Sequence, residues 1–288
     1  MMEKLILCFI FLFIGMAAAQ EEIYLIVRAD DIGSSHAANL ACIQCFTDGI
    51  ARSVEVMVPC AWFLEAAELL RAHPDYDVGV HLTLTSEWSK IKWRPLTCAP
   101  SLVDVNGYFF PRQKNWSDPT AVDAFWNPKT DLKEVEAELR AQIETAKRHI
   151  PQVSHLSAHM GIDSVDPSMQ QLVDRLAKEY GLDIDLGRLG VKYVRWDSPA
   201  NDDAETRTIK LIAALEGLRE PGLYLIVEHP GLDTPEMQAH GHPGYENVAW
   251  HRDGVTRAFT SGKVKEVIAN KGIRLISYRD AQRLFGKP

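Results

Sequence analysis

With 288 residues, 46% of them hydrophobic and 24% charged, the chain has the composition of a globular protein with ample core. A formal net charge of −8 argues against a polyanionic partner such as nucleic acid, whose binding needs clustered Lys and Arg.

In chain order, the first feature is Lys4, an apolar block from Leu5 to Met16, and Ala17-Ala18-Ala19 before Gln20. These are the parts of a secretory signal peptide. The block falls short of the roughly 20 apolar residues that cross a bilayer. Cleavage after Ala19 is expected, leaving a secreted or periplasmic protein without a membrane span, with residues 20–288 as a single domain. Cys42, Cys45, Cys60 and Cys98 then remain, and four cysteines allow three pairings among which the sequence does not choose. Buried thiols are expected.

The strand Ile23–Ala29 leads to a helix opening near Ser34 or Ser35, with Leu40, Ile43 and Phe46 on one face. Val54–Val58 and Val78–Thr85 are expected strands with a helix at Trp62–Ala72 between them. The stretch from Ser86 to Lys129 is irregular and holds Trp88, Trp93, Trp116 and Trp126. A connection this long is often functional, and its aromatic faces suit sugar rings above an active-site mouth. The helix Leu132–Arg148, the strand Val153–Ala158 and a helix from Pro167 follow. Short strands near Gly190–Val194, Leu223–Val227 and Arg274–Ser277 alternate with helices near Ala204–Leu218 and Gly254–Asn270. This βαβα rhythm predicts an α/β fold, a (β/α) barrel with parallel strands and its site at the C-terminal mouth. No dinucleotide or phosphate-loop motif follows any strand.

Several expected strands end in chemistry-bearing residues. The first runs into Asp30-Asp31-Ile-Gly33, the third into His81, the fourth into His155-Leu-Ser-Ala-His159, and a later one into Glu228-His229-Pro230-Gly231. Adjacent carboxylates at the mouth of a buried strand repel each other unless something cationic compensates them. One carboxylate and two imidazoles, Asp31, His81 and His159, suit one divalent metal ion, zinc or magnesium, with a position left for water. Asp30 is then the candidate general base. His229, fixed by the Pro-Gly turn, is the candidate acid for a leaving nitrogen. His155 reads as a residue behind the ligands or as core. His240 and His242, and likewise His36, His73, His149 and His251, read as surface residues.

With these residues assembled the chain resembles the YdjC-like carbohydrate deacetylases, the family of chitooligosaccharide and hopanoid-linked sugar deacetylases. The matching segments are Arg28-Ala-Asp30-Asp31-Ile-Gly33 with Asn39, Gly79-Val80-His81-Leu82-Thr-Leu-Thr85, His155-Leu-Ser-Ala-His159-Met-Gly161, Glu228-His229-Pro230-Gly231 and Gly272-Ile-Arg-Leu-Ile-Ser-Tyr278. The resemblance implies a barrel of the glycoside hydrolase/deacetylase type and a divalent metal held by Asp31, His81 and His159. It also implies Asp30 as base, His229 as acid, and an acetylated sugar or oligosaccharide as substrate. The family often has Asp and Ser where this chain has Ser157 and Ala158, so a carboxylate that orients a ligand imidazole is expected to be missing. Two other readings stand beside a metal-dependent hydrolase. A glycosidase on the same scaffold needs two carboxylates flanking the bond, about 5–10 Å apart. A sugar-binding protein without catalysis needs neither acid nor base.

Overall fold

The computed structural model describes residues 22–286. The expected signal peptide, residues 1–19, lies outside the described residues. Among the described residues seven parallel strands form one sheet: β1 (Ile23–Ile32), β2 (Ser53–Val56), β3 (Val78–Leu82), β4 (Val153–Ala158), β5 (Lys192–Tyr193), β6 (Gly222–Glu228) and β7 (Arg274–Leu275). Their order is β4-β3-β2-β1-β6-β5, and β7 pairs with the start of β1. Crossover helices are α1 (His36–Thr47), α2 (Phe63–Arg71), α3 (Leu132–His149), α4 (Pro167–Tyr180), α5 (Ala204–Gly217), α6 (Val248–Thr260) and α7 (Gly262–Asn270), and α8 (Tyr278–Phe285) follows β7.

β1 is central because its run Leu25-Ile26-Val27 is fully buried, which only a strand covered on both faces satisfies. The predicted barrel is realised as a curled, half-barrel sheet. Among the described residues β4 and β5 do not pair, and β5 and β7 are two residues each, too short to close a ring. Helix starts follow the side chains available. Ser35, Asp131 and Asp166 accept from the first-turn backbone of α1, α3 and α4, with Pro167 at the first position of α4.

The segment expected as a helix over Gly254–Asn270 is two helices broken at the extended Ser261, and the first begins six residues earlier, at Val248. Gly254 is not a helix start but a close approach. A Cβ there would lie 2.6 Å from Cδ of the buried Arg207. The 86–129 connection is pinned rather than loose. Trp93 Nε1 donates to the Thr85 carbonyl (2.7 Å), and the Leu96 and Thr97 amides donate to the buried Glu138 carboxylate on α3 (3.1 and 2.9 Å). Trp88 and Trp93 are buried, Trp126 is partly so, and Trp116 stands exposed. Cys42, Cys45 and Cys60 are buried free thiols as expected, whereas Cys98 is an exposed one, because it lies on this connection and not on a core-facing element.

No helix among the described residues is long and apolar enough to cross a membrane.

Candidate active site

Successive strand residues normally point to opposite faces, so two neighbouring aspartates do not reach one site without a local break. β1 supplies that break. Its register against β2 shifts between Ala29 and Ile32, and Asp31 takes a left-handed backbone conformation with φ 73°. A non-glycine residue held there is strained, a feature that concentrates at functional sites. The turn behind it is held by Asn39, whose Oδ1 accepts from the Gly33 amide at 2.6 Å. Gly33 itself sits at φ 100°, and a Cβ there would be 2.8 Å from the Met57 carbonyl oxygen.

Both carboxylates therefore face the mouth, and both are buried. His81 Nε2 lies 3.7 Å from an oxygen of each, and His159 Nδ1 lies 3.5 Å from Asp31 Oδ1. Asp31, His81 and His159 each offer one ligand atom within 4.8 Å of the others. Asp31 Oδ1 is buried without a hydrogen-bond partner among the described residues, while Oδ2 accepts from Arg252 Nη2 at 2.7 Å. A buried carboxylate oxygen left unpaired is costly unless a cation takes it. The donor set and the orphaned atom thus fit a divalent ion.

The imidazoles are oriented from behind. His81 Nδ1 donates to Ser157 Oγ at 2.8 Å, and Ser157 donates to the buried Glu55, leaving His81 Nε2 with its lone pair toward the site. Glu55 also accepts from His155 Nε2 at 2.8 Å. His159 Nε2 donates to Glu87 at 3.1 Å. The carboxylate expected to be missing is therefore present twice, as Glu87 behind one imidazole and as Glu55, through Ser157, behind the other. Burial lowers the His81 pKa to about 4 despite Asp30. Burial also pushes against a charged His159, but Glu87 and Asp31 outweigh it and raise that pKa to about 10.

Asp30 is gripped by Arg28, with Nε to Oδ1 at 2.7 Å and Nη2 to Oδ2 at 2.8 Å, and Arg28 in turn donates to Tyr278 Oη. Ala29 pairs with Glu228 across β1 and β6, so Asp30 and His229 follow side by side at the two strand ends. His229 Nδ1 lies 3.8 Å from Glu228, and its ring is partly exposed to the cavity. Burial opposes its charged form, yet Asp31 and Glu228 raise its pKa above the ordinary histidine value.

A cavity of about 1010 Å³ opens above these residues, walled by Trp88, Tyr245, His242 and His251 among others. His240, expected at the surface, is buried, and His242 stacks on Trp88 at 5.8 Å. His251 lines the same cavity rather than facing solvent. The Gly/Pro-rich segment folds over the mouth instead of projecting outward. Arg252, Glu87 and Glu55 join the site without any strand-end signal in the sequence. Arg252 is buried on the face of α6 that carries Ala249 and Thr256, and a charge on a core-facing stripe was the available signal.

A family model described as YdjC-like protein matches residues 24–270. The chain belongs to the YdjC-like family. It is 36% identical over 236 residues to a carbohydrate deacetylase of Thermus thermophilus, covering 75% of this chain and 80% of the relative. It is 28% identical over 269 residues to a chitooligosaccharide deacetylase of Yersinia pestis (Pestoides F), covering 89% of this chain and 98% of the relative. Among solved structures, an Enterococcus faecalis V583 protein provisionally described as a cellobiose-phosphate cleavage protein superposes with a TM-score of 0.70 at 25% identity. That match covers 90% of this chain and 98% of the other.

Proposed function

We propose that this YdjC-like protein is a metal-dependent carbohydrate deacetylase, a hydrolase that removes acetyl groups from N-acetylated amino sugars or short oligosaccharides. The observation that carries the reading is the unpartnered, buried Asp31 Oδ1 facing two imidazoles whose far nitrogens are already engaged. The names of its relatives support the acetyl group as the part removed.

Asp31, His81 and His159 would hold the ion, zinc or magnesium. When bound, such an ion acidifies water and polarises the acetamide carbonyl. Asp30, held in place by Arg28, takes the proton of the attacking water. His229 stands just past the end of the neighbouring strand, beside Glu228, and it delivers a proton to the leaving nitrogen. Buried Trp88 and the residues packed on it limit bulk water at the mouth. A glycosidase fits less well. Asp30 and Asp31 both lie against His81 Nε2 rather than on two sides of a bond, and each is saturated on one side by an arginine. Export to the periplasm or the medium belongs to this proposal and rests on residues 1–19 alone.

The test is acetate release from N-acetylglucosamine oligomers by protein stripped of metal, then supplied with zinc or magnesium. Release that returns with the ion and vanishes with chelator is expected. Release indifferent to chelator would overturn the metal, and no release from any oligomer would overturn the deacetylase.

A further inference from the structure

Beside the catalytic cavity lies a second one of about 520 Å³, formed wholly by the connection between β3 and α3. The two meet at Pro111 and Arg112, which line both. The shared strip is held from either side. The Ser86 amide, next to Glu87, donates to the Phe110 carbonyl at 2.8 Å, and the Phe125 amide donates to the Arg112 carbonyl at 2.9 Å. The connection that forms it buries Phe109, Phe125 and Leu102 fully and is tied to α3 where the Ser101 amide donates to Glu134 at 2.8 Å.

Its walls include Val103, Phe110 and two valines that the fold does not bury, Val105 at 102% and Val122 at 47% exposure. Its charged side chains are Asp104 and Asp123 against Arg112 and Lys129, so they sum to zero. Arg112 and Asp123 stand 3.7 Å apart, mutually paired but open to water. An apolar surface ringed by balanced donors and acceptors matches a neutral sugar, which presents C–H faces and a rim of hydroxyls. It does not match an anionic one. The catalytic cavity alone is already at the upper end of small-ligand sites.

We propose that the second cavity is a distal subsite, and that the substrate is a neutral oligosaccharide long enough to run from the Asp31 centre across Pro111 and Arg112 into it. This rests on the deacetylase reading for the chemistry, not for the binding. The experiment is calorimetry on the full, metal-loaded chain carrying Asp30→Asn, which is not expected to consume its ligand. The probes are N-acetylglucosamine oligomers of two and four units. The tetramer should bind about ten-fold more tightly than the dimer, the worth of one or two net hydrogen bonds with their apolar contact. Adding Val122→Trp, which fills the cavity from its exposed side, should bring the ratio toward one. Val105→Asp, at a fully exposed position that folding does not use, should lower it in the same direction. Equal affinities for dimer and tetramer, or a ratio that survives both substitutions with thermal midpoints unchanged, would overturn the subsite. An alkyl glycoside of the monomer binding as tightly as the tetramer would assign the cavity to an apolar aglycone and also overturn it. Acetate release by the wild-type chain is read separately. Length-dependent binding without acetate would sink the chemistry and leave the subsite standing.

Discussion

At Asp31 two opposing demands meet. Burial works against its charge, while Arg252 and the neighbouring histidines hold its carboxyl well below the usual carboxylate range, so it stays ionised, as the proposed metal ligand must. Asp30, one residue earlier, is committed to Arg28 and is not among the three ligand groups that converge. The division of labour makes a paired prediction. Asp30→Asn should lower hydrolysis of both an N-acetyl sugar and an activated acetate ester by about 10²–10⁴-fold, because each needs its water deprotonated. His229→Ala should lower amide hydrolysis by a similar factor and ester hydrolysis far less, since a good leaving group needs little protonation. Steady-state rates on the two substrates decide it. Equal losses in His229→Ala would make that residue a binding or oxyanion-stabilising group instead.

At the scale of strands, the site depends on a row that crosses the sheet. Glu55 of β2, Gly79 of β3 and His155 of β4 are register neighbours, and the Glu55–His155 hydrogen bond passes over Gly79 because Gly79 has no side chain. A Cβ at Gly79 would fall 2.0 Å from Glu55 Oε2 and 2.6 Å from His155 Nε2. Gly79→Ala should therefore cost about 3 kcal/mol or more, from overpacking plus disruption of a buried pair, as read by chemical denaturation. A wild-type denaturation midpoint would contradict the row. The strand-end residues Asp30, Asp31, His81, His159 and His229 were legible in the sequence because an apolar run that stops at a polar residue marks both the strand and its mouth. The parallel alternation was legible for the same reason. Glu55 was not, since it sits inside a buried strand where only its cross-strand partners explain it. Arg252 and Glu87 were not legible either, being brought in by α6 and by the 86–129 connection from far along the chain. The shortness of β5 and β7, which leaves the sheet open, depends on how few residues find a ladder partner, and hydrophobic pattern does not report that.

Across the whole molecule the buried histidines of the site tie stability to pH. In the metal-free protein His159 has a folded pKa of about 10, above the ordinary histidine value near 6.5. It contributes stability that is full below about pH 6.5 and is lost as pH rises toward 10. His81, lowered to about 4, contributes in the opposite sense, with stability present above about pH 6.5 and lost as pH falls toward 4. Metal-free protein should thus show a thermal midpoint that is highest near pH 6.5 and declines on the alkaline side. Glu87→Gln should flatten that alkaline decline, and a slope unchanged by this substitution would remove Glu87 from its assigned role. Metal uptake near pH 8 should release a proton from His159, because a ligand imidazole must be neutral. Metal content of the purified full chain reads the proposed three-residue metal centre itself. Wild-type protein should carry one divalent ion per chain, and Asp31→Ala, His81→Ala and His159→Ala should each carry substantially less than one while Asp30→Asn retains it. Full metal content in all three alanine variants would rule out a centre built on these residues.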